Sequence, residues 1–137
     1  MNVFVDTSGL FALLVQNDTK HAQARENFDY FARQKAKLYT SSFMLVETTA
    51  LLQRCVGLES VRDFNLKILP LLEVIWVSVE WYAKAVQRLL VQGKKDLSLV
   101  DCLSFEIMES HKISMAFAFD EHFVNAGFKI KNFDTFE

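Results

Sequence analysis

The chain has 137 residues, of which 51% are hydrophobic, 13% aromatic and 23% charged, with only four glycines and one proline. A chain so apolar and so poor in breakers is not disordered, collagen-like or a linker, and its length suits one domain, expected over 1–137, with a core that needs no covalent staples. A net charge of −2 gives no global basic field, and Cys55 and Cys102 form neither a disulfide framework nor a cysteine zinc site.

Asn2-Val3-Phe4-Val5 is a short continuous apolar run, the pattern of a fully buried strand. Asp6-Thr7-Ser8-Gly9 follows with polar capping residues, and a helix begins at the next apolar run, 10–15. Asp18-Thr19 is read as the cap of a second helix to about Gln34, and 37–40 as a second strand. Ser41 and Ser42 cap a helix over 43–55 that Gly57 stops. Residues 58–72 are helix-like, with Pro70 near the end, and the β-branched and aromatic run 74–77 is expected as a third strand. An amphipathic helix over 80–92 ends at Gly93, and Ser98 caps another that reaches His111. Residues 114–119 form the fourth strand, Asp120 begins a short helix to Asn125, and 128–130 are a weak fifth strand.

Strands alternating with helices, each strand short and apolar throughout, predict an α/β fold with a parallel sheet covered on both faces. The most apolar stretch, 66–79, contains Lys67, Pro70, Glu73 and Ser78 and cannot span a bilayer. With no signal-peptide pattern, the expectation is a soluble cytoplasmic protein without a membrane partner. Basic residues gather only locally, at Arg33/Lys35/Lys37, Lys94/Lys95 and Lys129/Lys131. Each group reads more readily as a solvated loop than as a ligand patch.

Four acids stand where carboxylates are unexpected. Asp6 and Asp120 directly follow the first and fourth strands, at the edge where parallel sheets bind ligands. Glu47 and Asp101 interrupt apolar helix runs, Glu47 on a stripe with Phe43, Val46, Ala50 and Leu51, and Asp101 on one with Ser98 and Phe105. Helical periodicity points both toward the interior. Buried carboxylates need a compensating cation, and a hard divalent ion such as Mg²⁺ or Mn²⁺ suits a partly hydrated oxygen site. Taken singly, Asp6 and Asp120 serve equally well as helix caps, and Glu47 and Asp101 as partners of a buried Lys or Arg; four such coincidences together are a weaker explanation.

These residues carry a resemblance. Asn2-Val3-Phe4-Val5-Asp6-Thr7-Ser8 resembles the opening strand and Asp-Thr-Ser signature of the PIN domain. Ser42 to Glu47 resembles that family's second acidic position, Leu97 to Phe105 its third, and Phe119-Asp120-Glu121-His122-Phe123 its fourth. Asp18 and His21 fall where many toxin-type members have Asp-x-x-His. The resemblance runs from end to end, and the length matches the VapC-like toxins of bacterial toxin–antitoxin pairs. It implies a five-stranded parallel sheet, a Mg²⁺- or Mn²⁺-dependent endoribonuclease, a homodimer and an antitoxin partner.

On that reading Asp6, Asp101 and Asp120 hold metal, with Glu47 acting directly or through water. Thr7, Ser8 and Ser98 are donors that orient the carboxylates or touch a phosphate, though ordinary capping explains them equally well. Asp96 and Glu121 are nearby acids read as solvated or outer. His122 can serve as a general base that the family pattern does not require, and His21 and His111 read as packing residues. Trp76, Phe64, Leu71, Leu72 and Trp81, around the third strand, suggest the dimer surface.

A receiver domain is set aside because Ser78-Val79-Glu80, not Asp, follows the third strand. A haloacid-dehalogenase-like phosphatase is set aside because position 8 is Ser. The remaining rival is a non-catalytic interaction module on the same fold.

Overall fold

The computed structural model describes residues 1–131, so the last six positions of the expected domain lie outside the described residues. Five strands form one all-parallel sheet: β1 (Asn2–Val5), β2 (Lys37–Ser41), β3 (Leu72–Ile75), β4 (Met115–Phe117) and β5 (Lys129–Ile130), in the order β3-β2-β1-β4-β5. Seven α-helices connect them: α1 (Thr7–Leu14), α2 (His21–Arg33), α3 (Ser42–Cys55), α4 (Leu58–Asp63), α5 (Val79–Gln92), α6 (Leu99–Ser110) and α7 (Glu121–Asn125). The α/β parallel-sheet expectation holds. Among the described residues no helix is long and apolar enough to cross a membrane.

The strands are apolar throughout because both faces are covered. Side chains alternate across the pleat. Val3 and Val5 therefore enter a cluster with Leu10, Phe31, Leu52 and Phe117, while Phe4 and Ala116 enter the opposite one with Phe105, Ile107, Met108 and Phe123. Burying each large apolar side chain contributes on the order of 2–3 kcal/mol. Both cysteines are free, Cys55 exposed and Cys102 buried.

Several boundaries differ from expectation. The third strand lies two residues earlier than 74–77, because its register is set by β2: Leu38 pairs with Leu72 and Ser41 with Ile75. Trp76 and Val77 fall beyond the pairing, and Val77 N–H instead donates to Ser42 Oγ at 2.9 Å. Only 115–117 of the expected fourth strand pair as β4. The helix-like stretch 58–72 breaks into α4, a π-helical turn over Phe64–Ile68 and a 3₁₀ turn over Leu69–Leu71 that contains Pro70. Asp18 bonds Lys20 N–H at 2.8 Å in the turn before α2 rather than capping that helix.

One close approach fixes α1. Gly9 lies so near β4 that a Cβ there would strike the Phe117 carbonyl and ring, so the turn after β1 is pressed onto the end of β4.

Candidate active site

β1 and β4 are neighbours, and the turns leaving their carboxyl ends are stitched together. Asp6 N–H donates to Phe117 O at 3.1 Å. Asp6 caps α1: its Oδ2 accepts from Ser8 N–H at 3.0 Å and from Ser8 Oγ–H at 2.7 Å. Ser8 Oγ in turn accepts from Phe119 N–H at 3.0 Å, so one serine ties the Asp6 turn to the Asp120 turn. Asp120 caps α7, accepting from His122 N–H at 2.9 Å. Capping and convergence are thus properties of the same two residues.

Asp101 arrives from a different direction. Ser98 Oγ accepts its backbone N–H at 3.0 Å, which starts α6 and leaves the Asp101 carboxylate, buried, facing α7. His122 Nδ1 lies 2.8 Å from Asp101 Oδ2 and 3.1 Å from Asp120 Oδ1. This nitrogen is itself buried and makes no aligned hydrogen bond. One ligand atom from each of Asp101, Asp120 and His122 therefore lies within 4.8 Å of the other two.

Asp6 stands beside this trio and outside it. Burial pushes its carboxyl up to about 6, the Ser8 hydrogen bonds pull it down, and the like charges of Asp120 and Glu47 raise it further. Glu47 is near enough to act on Asp6, but it does not occupy the interior stripe expected for it. α3 buries Met44, Thr48 and Leu52, while Val46 is 69% exposed and Ala50 is also exposed. Glu47 consequently sits half-buried at the rim. Among the described residues no Lys or Arg forms an ion pair with Asp6, Glu47, Asp101 or Asp120.

The remaining candidates separate clearly. Ser8 contacts a cleft carboxylate. Thr7 turns inward, within 3.2 Å of Met44 Sδ and 3.1 Å of Thr48 Oγ1, and pins α1 to α3 instead. Ser98 holds the Asp101 backbone rather than its carboxylate. Asp96 and Glu121 are exposed. His21 Nδ1 sits 2.9 Å from Ala12 O, and His111 packs on Trp81 and Tyr39, as packing residues do. His122 joins the site though its one sequence signal is its place two residues after an acid that caps a short helix.

The sequence matches the PIN domain family over residues 3–129. It is 32% identical over 127 residues, 92% of this chain and 95% of the relative, to the 23S rRNA-specific endonuclease VapC20 of Mycobacterium tuberculosis. The crystal structure of that protein, described as a sarcin-ricin loop cleaving toxin, superposes with a TM-score of 0.81 at 30% identity, covering 93% of this chain and 96% of the other. FitAcB from Neisseria gonorrhoeae shares the fold, with a TM-score of 0.70 at 15% identity over 96% of this chain and 97% of that one.

Proposed function

We propose, since this chain belongs to the PIN-domain family, that it is a divalent-metal-dependent endoribonuclease and the toxin of a toxin–antitoxin pair. The observation that carries this reading is the convergence of Asp101, Asp120 and His122 beside Asp6 and Glu47 with no Lys or Arg paired to them. The likeness to an rRNA endonuclease supports RNA as the substrate class.

The donor set fits a small divalent ion. In octahedral coordination with bonds near 2.1 Å, adjacent ligand atoms lie about 3 Å apart, and the two contacts of His122 Nδ1, at 2.8 and 3.1 Å, have that spacing. Two carboxylates with an imidazole suit Mn²⁺ as well as Mg²⁺. When bound, such an ion activates water for attack on phosphorus and neutralises charge developing on the phosphate. Asp101, Asp120 and His122 would hold it, with the Asp6 and Glu47 charges strengthening the cleft's demand for a cation. Ser8 keeps Asp6 aimed and the two strand-end turns in register, and Thr7 fixes the distance between α1 and α3.

A partner surface accompanies the cleft. Trp76 is 72% exposed, and Leu71, Val79, Tyr82, Leu90 and Val91 are exposed as well. Val79, Tyr82, Leu90 and Val91 line one open apolar groove, the kind of exposed surface that marks a partner site, which supports a homodimer and an antitoxin contact in this region. The expected contributors change: Phe64 is buried in the core, and Trp81 packs on His111.

The test is cleavage of unstructured RNA by the purified protein in Mg²⁺ or Mn²⁺, with EDTA as the control. Cleavage at full rate in EDTA rejects metal dependence. No cleavage under any metal, with a partner still bound, restores the non-catalytic module. Sedimentation showing only monomer at micromolar concentration rejects the homodimer.

A further inference from the structure

Between the end of α5, the loop that follows it and α7 lies a cavity of about 410 Å³, whose lining includes His122, Arg88, Gln92, Lys94, Asp96 and Asn125. His122 belongs both to this cavity and to the acid cluster, so the two sites share a wall.

The charges of the cavity cancel. The Arg88 guanidinium is engaged by Glu106 at 2.8 Å and Glu109 at 3.0 Å, and the lining holds one acid, Asp96, to offset Lys94. A free phosphate would find little net attraction here. What the cavity offers is the carboxamides of Gln92 and Asn125, each a donor and an acceptor, beside the imidazole of His122. An unpaired base calls for that combination: an aromatic face to stack on and paired donor–acceptor groups for its edge.

We propose that this cavity receives an unpaired RNA base immediately next to the bond that is cut, stacked on His122 and read by Gln92 and Asn125. The assignment rests on the ribonuclease reading and adds a specificity site to it. Of the three basic clusters in the sequence, the one containing Lys94 and Lys95 borders this cavity.

Two measurements test it. Cut sites are sequenced from a random-sequence RNA digested by the wild type and by the Gln92→Ala/Asn125→Ala double variant. One flanking position should show a base preference in the wild type and lose about tenfold of it in the variant, with Mn²⁺ affinity unchanged. An unchanged preference overturns the proposal. Separately, AMP, GMP, CMP and UMP are titrated into metal-free wild-type protein and followed by NMR. At least one should shift the Gln92 and Asn125 side-chain amides saturably, and the double variant should bind it about tenfold more weakly. Absence of any such shift at millimolar nucleotide also overturns it. Saturable binding without RNA cleavage keeps the pocket and rejects the ribonuclease reading; cleavage with neither preference nor shift does the reverse.

Discussion

Helix α6 sets Asp101 among seven buried residues, whereas α3 holds Glu47 beside a single buried line of Met44, Thr48 and Leu52. Both helices begin with a serine cap, at Ser98 and Ser41, and both interrupt an apolar run with an acid. They differ in cover. α6 is enclosed by the sheet, by α5 (which it meets through Arg88, Glu106 and Glu109) and by α7 through His122. α3 leaves its Val46 and Ala50 face to solvent. The burial of an acid on a helix is decided by what packs over that helix as much as by its phase, so the two acids should differ in how much depends on them.

The largest expected effect is at the enclosed acid. Asp101→Asn should lower cleavage by about 10³-fold or more, while its melting temperature in EDTA stays within a few degrees of wild type. The amide keeps the shape, and the substitution removes one of several like charges. Metal should raise the wild-type melting temperature more than the variant's, since a ligand of the folded state stabilises by mass action. A variant melting far below wild type in EDTA would make Asp101 a structural residue instead.

Next comes the acid that both regions surround. The Asp6 carboxyl is raised from 3.8 to about 6, so its protonated form favours the folded state. That contribution is fully present below about pH 4 and is lost as pH rises through 6. In EDTA, wild type should therefore gain up to about 3 kcal/mol relative to Asp6→Asn between pH 7 and pH 4. Paired denaturant titrations measure it; a constant difference across that range would show that Asp6 is not raised.

At the rim, Glu47→Gln should cost about tenfold in cleavage, the scale of one partly exposed interaction near 1.4 kcal/mol. A loss equal to that of Asp101→Asn would erase the distinction between the helices. The smallest effect concerns their ends. Two residues after α3 comes Gly57, at φ +138°, whereas two residues after α6 comes Lys112, a non-glycine at φ +54°. Lys112→Gly should be neutral or stabilise by up to about 1 kcal/mol, read as a small rise in melting temperature.

The architecture was legible because strands buried on both faces have a distinctive sequence pattern, and Asn2-Val3-Phe4-Val5 and the run containing Met115-Ala116-Phe117 have it. The interior position of Asp101 was legible too, because it shares a helical stripe with Phe105, which is also buried. Glu47 misled because Phe43-Met44-Leu45-Val46 is apolar at every position, and such a run reads the same at any helical phase. β3 misled for a related reason: Ile75-Trp76-Val77 has the stronger strand propensity, but an edge strand takes its register from its neighbour. The inward turn of Thr7 and the reach of His122 to Asp101 are contacts between distant segments, which no local pattern encodes.

The pairing of β1 with β4 has a consequence for biosynthesis. Asp6 is made about 110 residues before the strand it is stitched to and the turn carrying Asp120 and His122. A growing chain therefore carries an incomplete acid set until that turn has been made. A message truncated before the codon for Asp120 yields a chain that lacks two of the three groups gathered at the site, Asp120 and His122.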